Sequence, residues 1–191
     1  MARNVFLQGK IDKDCANDII RAIISVNELD NDNERKYKHY SREPITLFIN
    51  SQGGDVVQAR AIADCMKLSD TPIHTYVLGE CSSAAVLVFV SSDTRIISPS
   101  SEIMLHRGNR QIMGNIPYIE SLCNDSAILE RKYFIPISKI MNMSIDDIFK
   151  NINDNGDYWK IPAEEAISLG LATKIAEKLN SEDEHEEDSE S

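Results

Sequence analysis

The sequence predicts an α/β fold assembled from strand-turn-helix units, and two adjoining stretches make the case. Residues 45–49 (ITLFI) form a continuous β-prone run that enters NSQGGD; beyond it Val57, Ala61, Ile62, Cys65, Met66 and Leu68 fall on one helical face. The pattern then repeats: residues 73–78 (IHTYVL) read as a strand, GECSS as a turn, and residues 84–90 (AAVLVFV) as a short helix. That helix is apolar on every side and must be buried. Two such units in tandem imply parallel strand pairing.

The remaining elements follow from local pattern. Residues 5–7 suggest a short strand. Residues 12–29 space Ala16, Ile19, Ile20, Ile23 and Val26 as an amphipathic helix does. Residues 30–44 (DNDNERKYKHYSREP) have no apolar period and many turn formers, and are expected to be an exposed loop. RII and EIML give two short strands separated by Ser98, Pro99, Ser100 and Ser101, the second ending at His106. A long, protruding helix is expected over residues 116–141, interrupted or kinked at Pro136. Ser144 and Asp147 have the spacing of a capping box. Pro162 and Gly170 bracket a small helix in PAEEAISLG, before a last strand, LATKI.

A chain of 191 residues that is 42% hydrophobic can bury one ordinary core, so residues 1–180 are expected to form a single domain. Of the net charge of −11, seven negative charges lie in residues 181–191, which hold no Lys or Arg, and −4 is left for the body. That tail is too polar to offset the entropy of ordering and is expected to be disordered. No basic stripe is available to neutralise phosphates, which argues against a nucleic-acid partner. No run of about 18 apolar residues suggests a membrane span, and the apolar run near the start is too short for a signal peptide. Cys15, Cys65, Cys81 and Cys123 lack the close pairing of zinc or disulfide frameworks, and reduced thiols imply a cytoplasmic protein.

In parallel sheets the crevices lie at the carboxyl ends of strands, so the two turns after ITLFI and IHTYVL are where a site belongs. Ser83 falls at the strand-to-helix junction, which presents a side chain outward beside helix N–H groups that lack internal partners. Such donors suit an oxyanion, where each is worth roughly 3–4 kcal/mol. Gly53 and Gly54 offer a second place for close backbone approach. A serine nucleophile needs a base. Among the four histidines, His185 lies in the acidic tail, His39 in the charged loop and His74 inside a strand, whereas His106 ends a strand where the crevice should be. Position alone favours a helix N-cap for the serine and a packing or capping residue for the histidine, and does not establish catalysis.

In order and spacing these residues resemble the ClpP family, the proteolytic subunit of the Clp protease. FLQGKID is similar to that family's F-L-x-G-x-I, LFINSQGGDV to Y-I-N-S-P-G-G-x-V, GECSSAA to G-x-A-A-S-M-G, EIMLH to R-I-M-I-H, and AEEAISLGL to A-x-E-A-x-x-Y-G-L. The likeness runs from Val5 to about Ile175. It implies a ClpP/crotonase-like fold and a serine endopeptidase acting on polypeptides. Ser83 would be the nucleophile, His106 the base, and the N–H groups of Gly54 and Ala84 the oxyanion hole. It also implies no metal or organic cofactor, self-association into stacked rings around a chamber, and an ATP-driven unfoldase as partner.

The third triad member comes in the family from a D-T-x-R-D stretch, replaced here by NDNGDYWKIPAEEA. Counting back from Ala163 without a gap selects Asp154, which is the expected third member; anchoring on Asp157-Tyr158-Trp159 instead shifts the match to Asn153, and without a catalytic role all three would belong to a polar turn. Cys81-Ser82 stands where the family has two alanines, which leaves Ser82 as an alternative nucleophile. Two rival readings stay open, a crotonase-like acyl-thioester enzyme that would not need Ser83 and a ring subunit with a decayed site.

Overall fold

The structure is a computed structural model and describes residues 3–108 and 113–177. The acidic tail lies outside the described residues. Strand β1 (Asn4–Ile11) leads through the N-cap Asp12 into helix α1 (Lys13–Lys36). Strand β2 (Ile45–Gly54) leads through Asp55 into α2 (Val56–Lys67), and β3 (Ile73–Ser82) through Ser83 into α3 (Ala84–Phe89). Both predicted strand-helix units are present, but each strand runs on through most of its expected turn, to Gly54 and to Ser82, and every residue of α3 is buried. Short strands β4 (Thr94–Ile97) and β5 (Glu102–His106) precede α4 (Ile116–Met141), α5 (Ile145–Asp154), β6 (Tyr158–Pro162), α6 (Ala163–Ser168) and β7 (Lys174–Ile175).

Parallel pairing gives the sheet order β1-β2-β3-β4-β7. The site exists because β3 changes partner along its length. His74 to Val77 pair with β4, whereas Glu80 to Ser82 pair with β5. The bend between them is at Gly79, whose φ is +100° and where an added Cβ would stand 2.8 Å from Asn50 Oδ1. Antiparallel to β5 lies β6, with His106 opposite Tyr158. The core beneath includes Leu7, Ile11, Leu47, Ile49, Val77, Phe89, Ile103 and Phe134.

Several expectations need correction. Residues 30–44 are not wholly loop, since α1 continues to Lys36. Asp30 is fully buried and accepts hydrogen bonds from Arg3, Tyr40 and Thr71, so a polar side chain anchors the helix where no apolar period signalled it. Arg42 also pins the segment, binding Glu34 and Asn31. Strand β6 was not anticipated, although Trp159 and Ile161 alternate inward along it, and Pro162, expected to open a helix, closes the strand. The final strand contracts to two residues. Helix α4 runs continuously through Pro136, and Ser144 caps α5 as expected, accepting from the Asp147 N–H at 3.1 Å.

Candidate active site

Ser83 closes β3 and opens α3 with φ 52° and ψ −127°, a conformation that costs a non-glycine residue roughly 1–3 kcal/mol. Three hydrogen bonds hold it there. Its N–H donates to the Met104 carbonyl of β5 at 2.9 Å, and its own carbonyl accepts from the Val86 N–H at 3.0 Å and from the Tyr133 hydroxyl at 2.6 Å. Its side chain makes no capping bond to α3, so the N-cap role weighed for it is not filled by the hydroxyl. Ser82 differs in every respect: it is buried, and its hydroxyl donates to Glu80 at 2.6 Å.

The neighbouring glycine turn packs tightly against this elbow. A Cβ at Gly53 would lie 2.6 Å from the Ser82 carbonyl oxygen, 2.8 Å from the Ser83 Cβ and 2.9 Å from the Ala84 nitrogen. At Gly54 it would lie 2.3 Å from the Ile11 carbonyl oxygen. No side chain fits at either position, and the β2–α2 turn can therefore approach the first N–H of α3.

His106 reaches the same place from β5. Because Met104 receives the Ser83 N–H and strand side chains alternate, His106, two residues on, leaves the strand on the face that Met104 shares. Ser83, Ala84 and His106 together line a cavity of about 870 Å³ between the strand ends and α4. Among the described residues no hydrogen bond joins the Ser83 hydroxyl to His106; such bonds are often long before substrate binds. The His106 ring instead stacks on Tyr158, with centroids 5.8 Å apart.

Of the three residues weighed for the orienting group, Asn153 and Asp157 line this cavity. Asp154, the residue selected by counting back, is the exposed last residue of α5 and is not on the cavity wall. Asp157 has φ 71° and follows Gly156 at φ 73°, so the chain makes a left-handed turn into β6. Its charge reaches Arg107, whose pKa is raised chiefly by the hydrogen bond to Glu130 and in smaller part by Asp157. Gly54 is not itself on the wall, although Asp55 beside it is. Tyr158 and Tyr133 were missed in the sequence; Tyr158 could have been found had YWKIP been read as the strand paired with EIMLH.

A family model described as Clp protease matches residues 1–179. The chain belongs to the Clp protease family. Among its relatives, ATP-dependent Clp protease proteolytic subunit 2 of Treponema pallidum is 28% identical over 178 residues, covering 92% of this chain and 83% of the relative. ATP-dependent Clp protease proteolytic subunit 1 of Rhodopirellula baltica is 31% identical over 175 residues, covering 91% of this chain and 71% of the relative. A solved point mutant of ClpP1 from Listeria monocytogenes superposes with a TM-score of 0.77 at 22% identity and 93% coverage of both chains, a likeness of fold. Membership in the Clp family sets aside the acyl-thioester reading. Among the described residues of this Clp-family chain, no helix is long and apolar enough to cross a membrane.

Proposed function

We propose that the chain is a serine endopeptidase of the Clp type, with Ser83 as nucleophile and His106 as general base. The observation that carries this reading is the strained, triply anchored backbone of Ser83, which presents its hydroxyl to the cavity that His106 also lines. His106 takes the hydroxyl proton as Ser83 attacks the scissile carbonyl, then returns it to the leaving amine, and water releases the acyl group. The Ala84 N–H, on the cavity wall, receives the oxyanion, and the Gly54 N–H, which the family resemblance adds, does so from the turn just behind Asp55. Asp157 takes the acid role, because it is the one carboxylate among the three candidates on the cavity wall. The steps need no metal or organic cofactor.

The substrates are unfolded polypeptides, bound as an added extended strand through main-chain hydrogen bonds. Ile116, Tyr118, Ile128, Leu129 and Ile135 are exposed along α4, apolar surface that supports self-association into stacked rings. An ATP-driven unfoldase partner rests on the "ATP-dependent" names of the relatives, and a cytoplasmic location on the expectation of reduced thiols. Incubating purified protein with an unfolded polypeptide tests the activity: fragments should appear with the wild type and not with Ser83→Ala, and equal cleavage by both would refute the assignment.

A second reading has its own support. The stacking of His106 on Tyr158, which engages the ring of the proposed base, suits a ring subunit whose site has decayed. Ring formation with an active paralogue, without cleavage of peptides or labelling by a serine-directed probe, would establish it.

A further inference from the structure

Two side chains one turn apart on α4 grip the backbone on either side of the proposed catalytic pair. The Tyr133 hydroxyl, on a buried side chain and with its pKa driven up by burial, donates to the Ser83 carbonyl at 2.6 Å. Its ring packs edge-on against Phe134, with centroids 4.7 Å apart, which leaves the hydroxyl little room to swing. One turn earlier, Glu130 accepts from the Arg107 guanidinium at 2.7 Å and from the Gly108 N–H at 3.1 Å, the two residues that follow His106. Arg107 also lies over the Phe149 ring of α5, 4.5 Å from its centroid, so the residue after the base is held between two helices.

We infer that Glu130 and Tyr133 are positioning residues that use α4 as a common ruler, Tyr133 holding the nucleophile in its strained conformation and Glu130 holding the strand end that carries the base. Ser83 and His106 come from two strands whose last shared bond runs from the Ser83 N–H to the Met104 carbonyl, two residues short of His106, and a catalytic pair loses rate steeply when displaced by about 1 Å. Without the Tyr133 hydroxyl, the Ser83 carbonyl keeps only the Val86 N–H, and the local backbone can relax out of its positive φ. Without Glu130, Arg107 keeps its ring contact but the Gly108 N–H loses its partner.

This inference rests on the peptidase reading, and its test separates the two. In the full-length protein, Tyr133→Phe should lower kcat for a short peptide and the labelling rate by a fluorophosphonate at least ~10-fold, leaving KM within about twofold. Glu130→Ala should act in the same direction, and Glu130→Gln, which still accepts from Gly108, should recover most of the loss. Hydrogen exchange gives a readout independent of activity. It should quicken over residues 80–90 in Tyr133→Phe and over 102–108 in Glu130→Ala, with residues 45–49 unchanged. Unaltered exchange in both windows would overturn the inference whether or not the protein is active, as would normal labelling rates with Ser83→Ala unlabelled. An unlabelled wild type whose exchange responds as described would instead refute the peptidase reading alone. Should Tyr133→Phe fail to fold, Glu130→Ala decides, since its side chain lies at the cavity rim.

Discussion

The proposed site has two halves built in opposite ways. The nucleophile half is made by the core: α3 is buried throughout, Gly53 meets the backbone of Ser82 and Ala84, and Ser83 is anchored to β5, α3 and α4. The acid half, residues 153–158, is exposed throughout and turns through two consecutive positive-φ residues. Packing dictates position in the first half. In the second, a turn can lengthen or shift without disturbing the core, so spacing carries little information about which residue meets His106.

The most severe way to break the nucleophile half is Gly53→Ala. The added methyl would overlap backbone at 2.6 and 2.9 Å from a φ of +87°, and we expect at least ~100-fold loss of peptide cleavage together with a fall in Tm, as in other changes at strained backbone positions. Retained activity would show that the two turns do not need their close approach.

The acid half is sharpened by comparing two carboxamides in one turn. Asp157→Asn should lower kcat by roughly 10²- to 10⁴-fold, the scale of losing a triad carboxylate, whereas Asp154→Asn should stay within about twofold. A reversed order, measured as kcat/KM, would restore the residue chosen by counting.

Asp30→Asn serves as a control remote from both halves. Arg3, Thr71 and Tyr40 hold the Asp30 carboxyl far below the usual carboxylate range, the Arg3 hydrogen bond contributing most. A depressed folded pKa stabilises the native state above the unfolded pKa of about 4 and ceases to do so as pH falls through the folded value. The variant should therefore be less stable at pH 7 by about 3 kcal/mol, the scale of breaking a buried pair. The gap should narrow as pH drops below about 4, and kcat of the folded fraction should be unaltered. A gap independent of pH in denaturant titrations would contradict the ionised network.

The smallest effect is expected at Ser82→Ala, which removes only the bond to Glu80, about 1 kcal/mol of stability, with cleavage within a few-fold of wild type.

The same contrast explains what was legible in the sequence. The runs ITLFI and IHTYVL, the wholly apolar AAVLVFV and the glycines between them are written in hydrophobic pattern, so the places of Ser83 and of His106 at the end of β5 could be read directly, while their proposed roles came from the family resemblance. The continuation of α1 past Asp30 could not, because a buried carboxylate bound to Arg3, 27 residues away, leaves no periodic trace. Strand β6 is short and starts from a polar turn, so its pairing with β5 became visible only once the chain was folded. Tyr133 was invisible for a similar reason: within α4 it reads as one more apolar residue, and its role depends on a hydroxyl meeting a carbonyl 50 positions earlier.

The most direct test of the account is to label the purified protein with a fluorophosphonate and map the adduct by peptide mass spectrometry. Modification is expected at Ser83, retained in Ser82→Ala and lost in His106→Ala. An adduct on Ser82, or labelling of Ser83 that persists without His106, would contradict it.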